Sequence, residues 1–139
     1  MKNQIKSLTF SLFLLLVLSL ALVSSAGAAP DPFIGVWTAL DLDGSNLQLS
    51  IGGGAGNSYH LFYFDDGASV CGLDTGGDPL YPANAKGVGT ATGDVLSVTF
   101  AVKCLAMPSY SYGESPYAFT YNSGTGTLTD GYGLIWTRK

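Results

Sequence analysis

The chain has 139 residues, only 12% of them charged, and a formal net charge of −4. Beyond residue 28 the charges are Lys86, Lys103, Arg138 and Lys139 against all ten acids, a net −6. Four scattered cations cannot build a basic patch, so nucleic acid and anionic membrane surfaces are excluded as expected partners.

The first segment pairs Lys2 and Lys6 with an apolar run from Leu8 to Val23 and then Ser24-Ser25-Ala26-Gly27-Ala28. A basic start, an apolar middle and an A-x-A exit predict a secretory signal peptide over residues 1–28, cleaved before Ala29, and hence an extracytoplasmic protein. An uncleaved anchor is the alternative, although the apolar run falls short of the roughly 20 residues a spanning helix needs. No lipobox cysteine stands at the expected cleavage site, where residue 29 is Ala, so a free protein without a stable membrane anchor is expected. The remaining 29–139 segment has the length of one domain.

That segment is rich in Gly, Ser and Thr and lacks helical periodicity, which predicts an all-β fold. Turn-forming clusters of Gly, Asp and Asn separate eight candidate strands at 33–40, 46–51, 58–64, 68–72, 85–91, 95–105, 116–121 and 127–138. Alternation is clearest where Leu47, Leu49 and Ile51 share one face, and where Leu96, Val98, Phe100 and Val102 do. The last strand holds Asp130-Gly131-Tyr132-Gly133, which predicts a bulge or a split into two strands. Sequential antiparallel strands most simply close into an up-and-down barrel of about eight strands; a β-sandwich is the alternative.

In such a meander alternate connections share a rim. The short turns 41–45, 65–67, 92–94 and 122–126 would gather at one end, and the longer stretches 52–57, 73–84 and 106–115 at the other. Cys71 and Cys104 fall toward the long-loop end. An even cysteine pair in an exported chain predicts a disulfide, with two buried free thiols as the alternative. On strands two apart the pair would be separated by about 9.6 Å, so either the intervening strand starts lower or a loop folds over it.

Gly35-Val36-Trp37 opens the first strand and Trp136-Thr137-Arg138 closes the last. With the strand count, these ends resemble the calycin barrels, the lipocalin and avidin group. The resemblance implies that Trp37 sits at the barrel base with Arg138 lying across it, both structural. An indole face offers a cation a favourable quadrupole, so the pair can close a barrel end. That family opens its ligand mouth at the rim of the first and third turns, which read as tight in this chain. The pocket is therefore expected to be small or absent, or moved to the long-loop rim. No family ligand residue matches a position here, and biotin binding is not implied.

At the long-loop rim Tyr81, Met107, Tyr110, Tyr112 and Tyr117 form the candidate ligand site, because tyrosine pairs an apolar face with a hydroxyl and suits small molecules, glycans or a protein partner. The same residues would otherwise plug the barrel end. At the short-turn rim Asp41, Asp43, Asp65, Asp66 and Asp94 offer a minority calcium site, although Asp41-Leu42-Asp43-Gly44-Ser45 does not continue as an EF-hand and turn formation explains the acids more simply. His60 is the single histidine, Glu114 the single glutamate, and no nucleophile motif is present. A non-catalytic binding module without cofactor is the expectation, with a structural or protein-interaction role as the alternative.

Overall fold

Inward, buried side chains alternate along the strands with outward, exposed ones, and the chain closes this pattern on itself. The computed structural model describes residues 30–77, 81–106 and 111–139, and of Ser111 and Tyr112 the backbone alone. It is an antiparallel up-and-down barrel of eight strands: β1 Gly35–Leu40, β2 Asn46–Gly53, β3 Ser58–Asp65, β4 Ala83–Thr92, β5 Val95–Cys104, β6 Ser111–Asn122, β7 Thr127–Asp130 and β8 Ile135–Arg138. Each strand pairs with its chain neighbour, and β1 closes on β8 through Trp37↔Arg138 and Thr38↔Thr137.

One expected strand is absent. Residues 68–72 contain a 3₁₀ turn, Ser69–Cys71, and β3 pairs directly with β4 from Ser58↔Thr90 to Asp65↔Ala83. The direct pairing leaves the turn no strand to join. Gly72 at φ +124° carries the chain out of the turn, and the Ala68 N–H donates to the Tyr81 carbonyl at 2.9 Å. Cys71 therefore approaches from a loop, not from a strand. It reaches Cys104 at the end of β5 with Cα atoms 5.5 Å apart, forming the disulfide. Ala68, Ala83 and both cysteines make a small buried cluster around it.

The eighth strand comes instead from the split of 127–138. Asp130 organises a turn between β7 and β8, accepting the backbone N–H of Tyr132 at 2.9 Å and of Leu134 at 3.0 Å on Oδ1. The strand count survives, but the sorting of the connections does not. With one element fewer before β4, the turns at 93–94 and 123–126 lie at the end opposite 41–45. The long connections after β3 and β5 join 41–45 and the β7–β8 turn at what is here called the open end.

The other end is closed. Phe33 lies beneath the barrel with its ring edge-on to Tyr59 and Tyr121, at 5.6 and 6.2 Å between centroids. Trp37 is fully buried and donates its indole N–H to the Phe33 carbonyl at 2.9 Å. The Arg138 guanidinium sits 4.5 Å from the centre of the Trp37 ring. It also donates to the carbonyls of Ile34 and Pro32, both at 2.7 Å. Gly35, at φ +149°, admits this approach, since a Cβ there would stand 3.3 Å from the guanidinium nitrogen.

Above this end the core is aliphatic and aromatic: Leu47, Leu49, Leu61, Leu96, Phe119, Leu128 and Trp136 are buried. On β4 the inward residues are small, Ala83, Ala85, Gly87 and Gly89. A Cβ on Gly87 would lie 2.5 Å from both Thr99 O and Val98 Cγ2, so the lower half of the barrel needs glycine there. Exposed positions on the outer face include His60, Lys86 and Glu114, unlike the apolar band of a lipid-facing barrel. No helix among the described residues is long and apolar enough to cross a membrane.

Candidate functional site

Inward side chains fill the barrel from Trp37 up to Trp136, but not to the open rim. β4 contributes only Ala83 and Ala85 to the upper interior, beside Tyr63 on β3, and these short side chains leave a cavity of about 310 Å³ bounded by Tyr117 on β6. Phe100 and Val102 of β5 complete the apolar wall. Leu42, Val70 and Tyr132 stand at the rim, exposed to 88%, 39% and 73%. Two larger depressions, about 520 and 480 Å³, lie on the outer faces of β4–β6 and β2–β4; they are open troughs that enclose little.

The cavity wall is a set of mutually packed rings. Tyr63 meets Phe100 at 5.8 Å and Trp136 at 5.9 Å between centroids, and Tyr117 meets Phe119 at 5.0 Å and Tyr132 at 5.6 Å. Such packing fixes ring orientation without filling the space in front of the rings. Asp130 fixes it further. Its Oδ2 accepts the Tyr117 hydroxyl at 2.9 Å and the Trp136 indole N–H at 3.0 Å, so with the two turn amides this one carboxylate receives four hydrogen bonds.

The polar groups lining the cavity are the carboxylates of Asp41 and Asp65 and the hydroxyls of three tyrosines and two serines. Burial, then the Asp130 carboxylate, pushes the Tyr117 hydroxyl far above the usual phenol range. Burial likewise raises Tyr63, with Asp65, Asp41, Asp130 and Asp43 adding to it. Both phenols stay protonated and available as hydrogen-bonding groups. Asp65 is 7% exposed at the end of β3, with Oδ1 accepting the Gly67 N–H at 2.9 Å. Burial pushes its carboxyl up and Asp41 and Asp43 add to the rise, whereas the Gly67 amide and the nearby Ser45 hydroxyl favour the charged form. That buried hydroxyl makes no hydrogen bond of ordinary geometry, so its effect on Asp65 is that of a nearby dipole.

Of the tyrosines expected at the rim, Tyr117 lines the cavity and Tyr81 does not. Tyr81 belongs to the β3–β4 connection with its ring against Gly72. Met107 and Tyr110 lie outside the described residues, and Tyr112 is placed on β6 by its backbone only. Among the expected calcium ligands, Asp94 is at the closed end. Asp41, Asp43, Asp65 and Asp66 share the open rim, but each carboxylate is engaged by nearby amides: Asp41 accepts Leu42 N–H, Asp43 accepts Ser45 N–H, Asp65 accepts Gly67 N–H, and Asp66 reaches the start of β2, accepting both the backbone and side-chain amide of Asn46. Among the described residues no three His, Cys, Asp or Glu side chains converge on one point to hold a metal ion.

Sequence reasoning overlooked Tyr63, Phe100, Tyr132, Asp130 and Leu42 as site residues. A signal was present for the first: Tyr59, Leu61, Tyr63 and Asp65 alternate, which puts Tyr63 and Asp65 inside as soon as Leu61 is. No family model, curated protein or solved structure matches the chain.

Proposed function

We propose that this protein is an extracytoplasmic, non-catalytic binding module of calycin type that holds a small organic ligand in its open-end cavity. The observation that carries the reading is the cavity of about 310 Å³ walled by Tyr63, Phe100, Ala85 and Tyr117. That volume falls at the small end of ligand sites, and the lining has their usual character, mostly apolar with a few convergent polar groups. A purely structural barrel of this size has no need of an unfilled space bordered by Tyr63, Ala85, Phe100 and Tyr117. Binding without chemistry is favoured by the pair of phenols held protonated and by the position of His60 on the outer face. The disulfide supports a site of action outside the cytosol.

Native mass spectrometry of the protein recovered from its own host tests this reading, alongside an Ala85→Phe variant whose ring fills the cavity. A discrete small-molecule increment on the wild-type protein that disappears from Ala85→Phe, with the melting temperature of the variant at or above wild type, is the expected result. An increment retained by Ala85→Phe would place the ligand elsewhere.

A further inference from the structure

The cavity is acidic without compensation. Asp41 and Asp65 both line it, Asp130 stands behind Tyr117, and no lysine, arginine or histidine is among its lining residues. The connections at the open end contain no cationic residue in sequence, from 41 to 45, 66 to 82, 105 to 110 or 131 to 134. The chain's cations after residue 28 are spent elsewhere. Lys86 faces outward over the Phe62 ring, Lys103 is exposed on the outer face of β5, Arg138 covers Trp37 at the closed end, and Lys139 follows it.

Asp65 is the informative group. It is more than nine-tenths buried, its one hydrogen bond of ordinary geometry among the described residues is the Gly67 amide on Oδ1, and it borders the same space as four aromatic rings. A buried carboxylate without a cationic partner is costly, and a partner that arrives with the ligand removes that cost. Aromatic faces add to the attraction, because Tyr and Phe present negative quadrupole faces to a cation. An anionic ligand would meet only like charge here.

From this arrangement we infer that the ligand is a small organic cation, an ammonium group on an aromatic or aliphatic body, with its charge against Asp65 and its body among Tyr63, Phe100 and Tyr117. The inference rests on the cavity reading above and narrows it to a ligand class. The β1–β2 turn, through Asp41, and the β7–β8 turn, through Tyr132, would flank the charged end.

Three probes of nearly equal size separate the cases: 2-phenylethylammonium, 2-phenylethanol and 3-phenylpropanoate, titrated by calorimetry into the wild-type protein, Asp65→Asn and Asp94→Asn. Asp94 lies at the closed end and controls for net charge. The expected order in the wild type is cation over alcohol by about tenfold or more, the effect of one charge-assisted hydrogen bond, with the carboxylate weakest. Asp65→Asn brings cation and alcohol to within about twofold, and Asp94→Asn leaves the order as it is. Equal wild-type affinity for cation and alcohol would overturn the inference while leaving the cavity reading standing. Failure of all three probes to bind the wild type would overturn both.

Discussion

The Tyr117 hydroxyl donates to the same Asp130 oxygen that accepts the Trp136 indole N–H, at 2.9 and 3.0 Å, so one buried carboxylate ties the cavity wall on β6 to the last strand of the barrel. Because Asp130 also receives two amides of its own turn, it is a joint between the closure of the barrel and the shape of the site. Replacing it by Asn leaves one acceptor oxygen and turns an amide N–H₂ toward a group that also donates. Asp130→Asn is expected to cost about 2–3 kcal/mol in urea unfolding, and Tyr117→Phe about 1–2 kcal/mol. The double variant should lose less than the sum of the two, since both remove the same bond.

Asp65 predicts a pH signature. Its carboxyl is raised above the ordinary 3.8, chiefly by burial, so between 3.8 and its folded-state value the native protein holds a proton that the unfolded chain has released. Its contribution to stability is full below 3.8 and is lost as the pH rises through the folded value. Asp65→Asn is therefore expected to melt higher than wild type at pH 7, with the gap closing at pH 3. Thermal unfolding at the two pH values checks this; a variant that melts lower at pH 7 would contradict it.

Arg138 should matter for the closed end and not for the cavity. Arg138→Ala removes the cation over Trp37 and two hydrogen bonds to backbone carbonyls, and a loss of about 1–2 kcal/mol is expected, discounted for the exposure of the guanidinium. Ligand affinity should stay within about twofold of wild type. A fall in affinity without a fall in stability would mean that the two ends are coupled.

The disulfide anchors the connection that forms part of the mouth. In the chain-entropy account, closing a separation of 33 residues contributes roughly 3 to 4 kcal/mol. A Cys71→Ala, Cys104→Ala double variant is expected to lose about that much in denaturant midpoint analysis. It should also release Val70 from the rim, and faster proteolysis near residues 69–72 would report that.

Much of the fold was legible in the chain. Leu47, Leu49 and Ile51, and Leu96, Val98, Phe100 and Val102, point inward as their alternation requires, and eight antiparallel strands close into an up-and-down barrel as the strand count predicts. What misled was the 68–72 stretch, where the sequence Ala-Ser-Val-Cys-Gly has strand-like residues but no neighbour to pair with. Pairing is a long-range property, and a five-residue window carries no record of it. That one error inverted the parity of every later connection and set the long connections after β3 and β5 apart from the 41–45 turn, with which they share the open end. The cavity itself was illegible for a different reason: Ala83 and Ala85 of β4 are small beside Tyr63 of β3, and the space they leave is bounded by Tyr117 of β6, a relationship among strands that only the folded barrel brings together.

The most direct test is methyl NMR of the protein carrying ¹³C-labelled Ala, Val and Leu methyls, titrated with 2-phenylethylammonium and then 2-phenylethanol. Saturable shifts confined to the methyls that line the open-end cavity, those of Leu42, Ala68, Val70, Ala83, Ala85, Val102 and Leu134, are the predicted result. Shifts centred on Val88 and Ala118, which line the trough on the outer face, or no shift with either probe, would contradict the account.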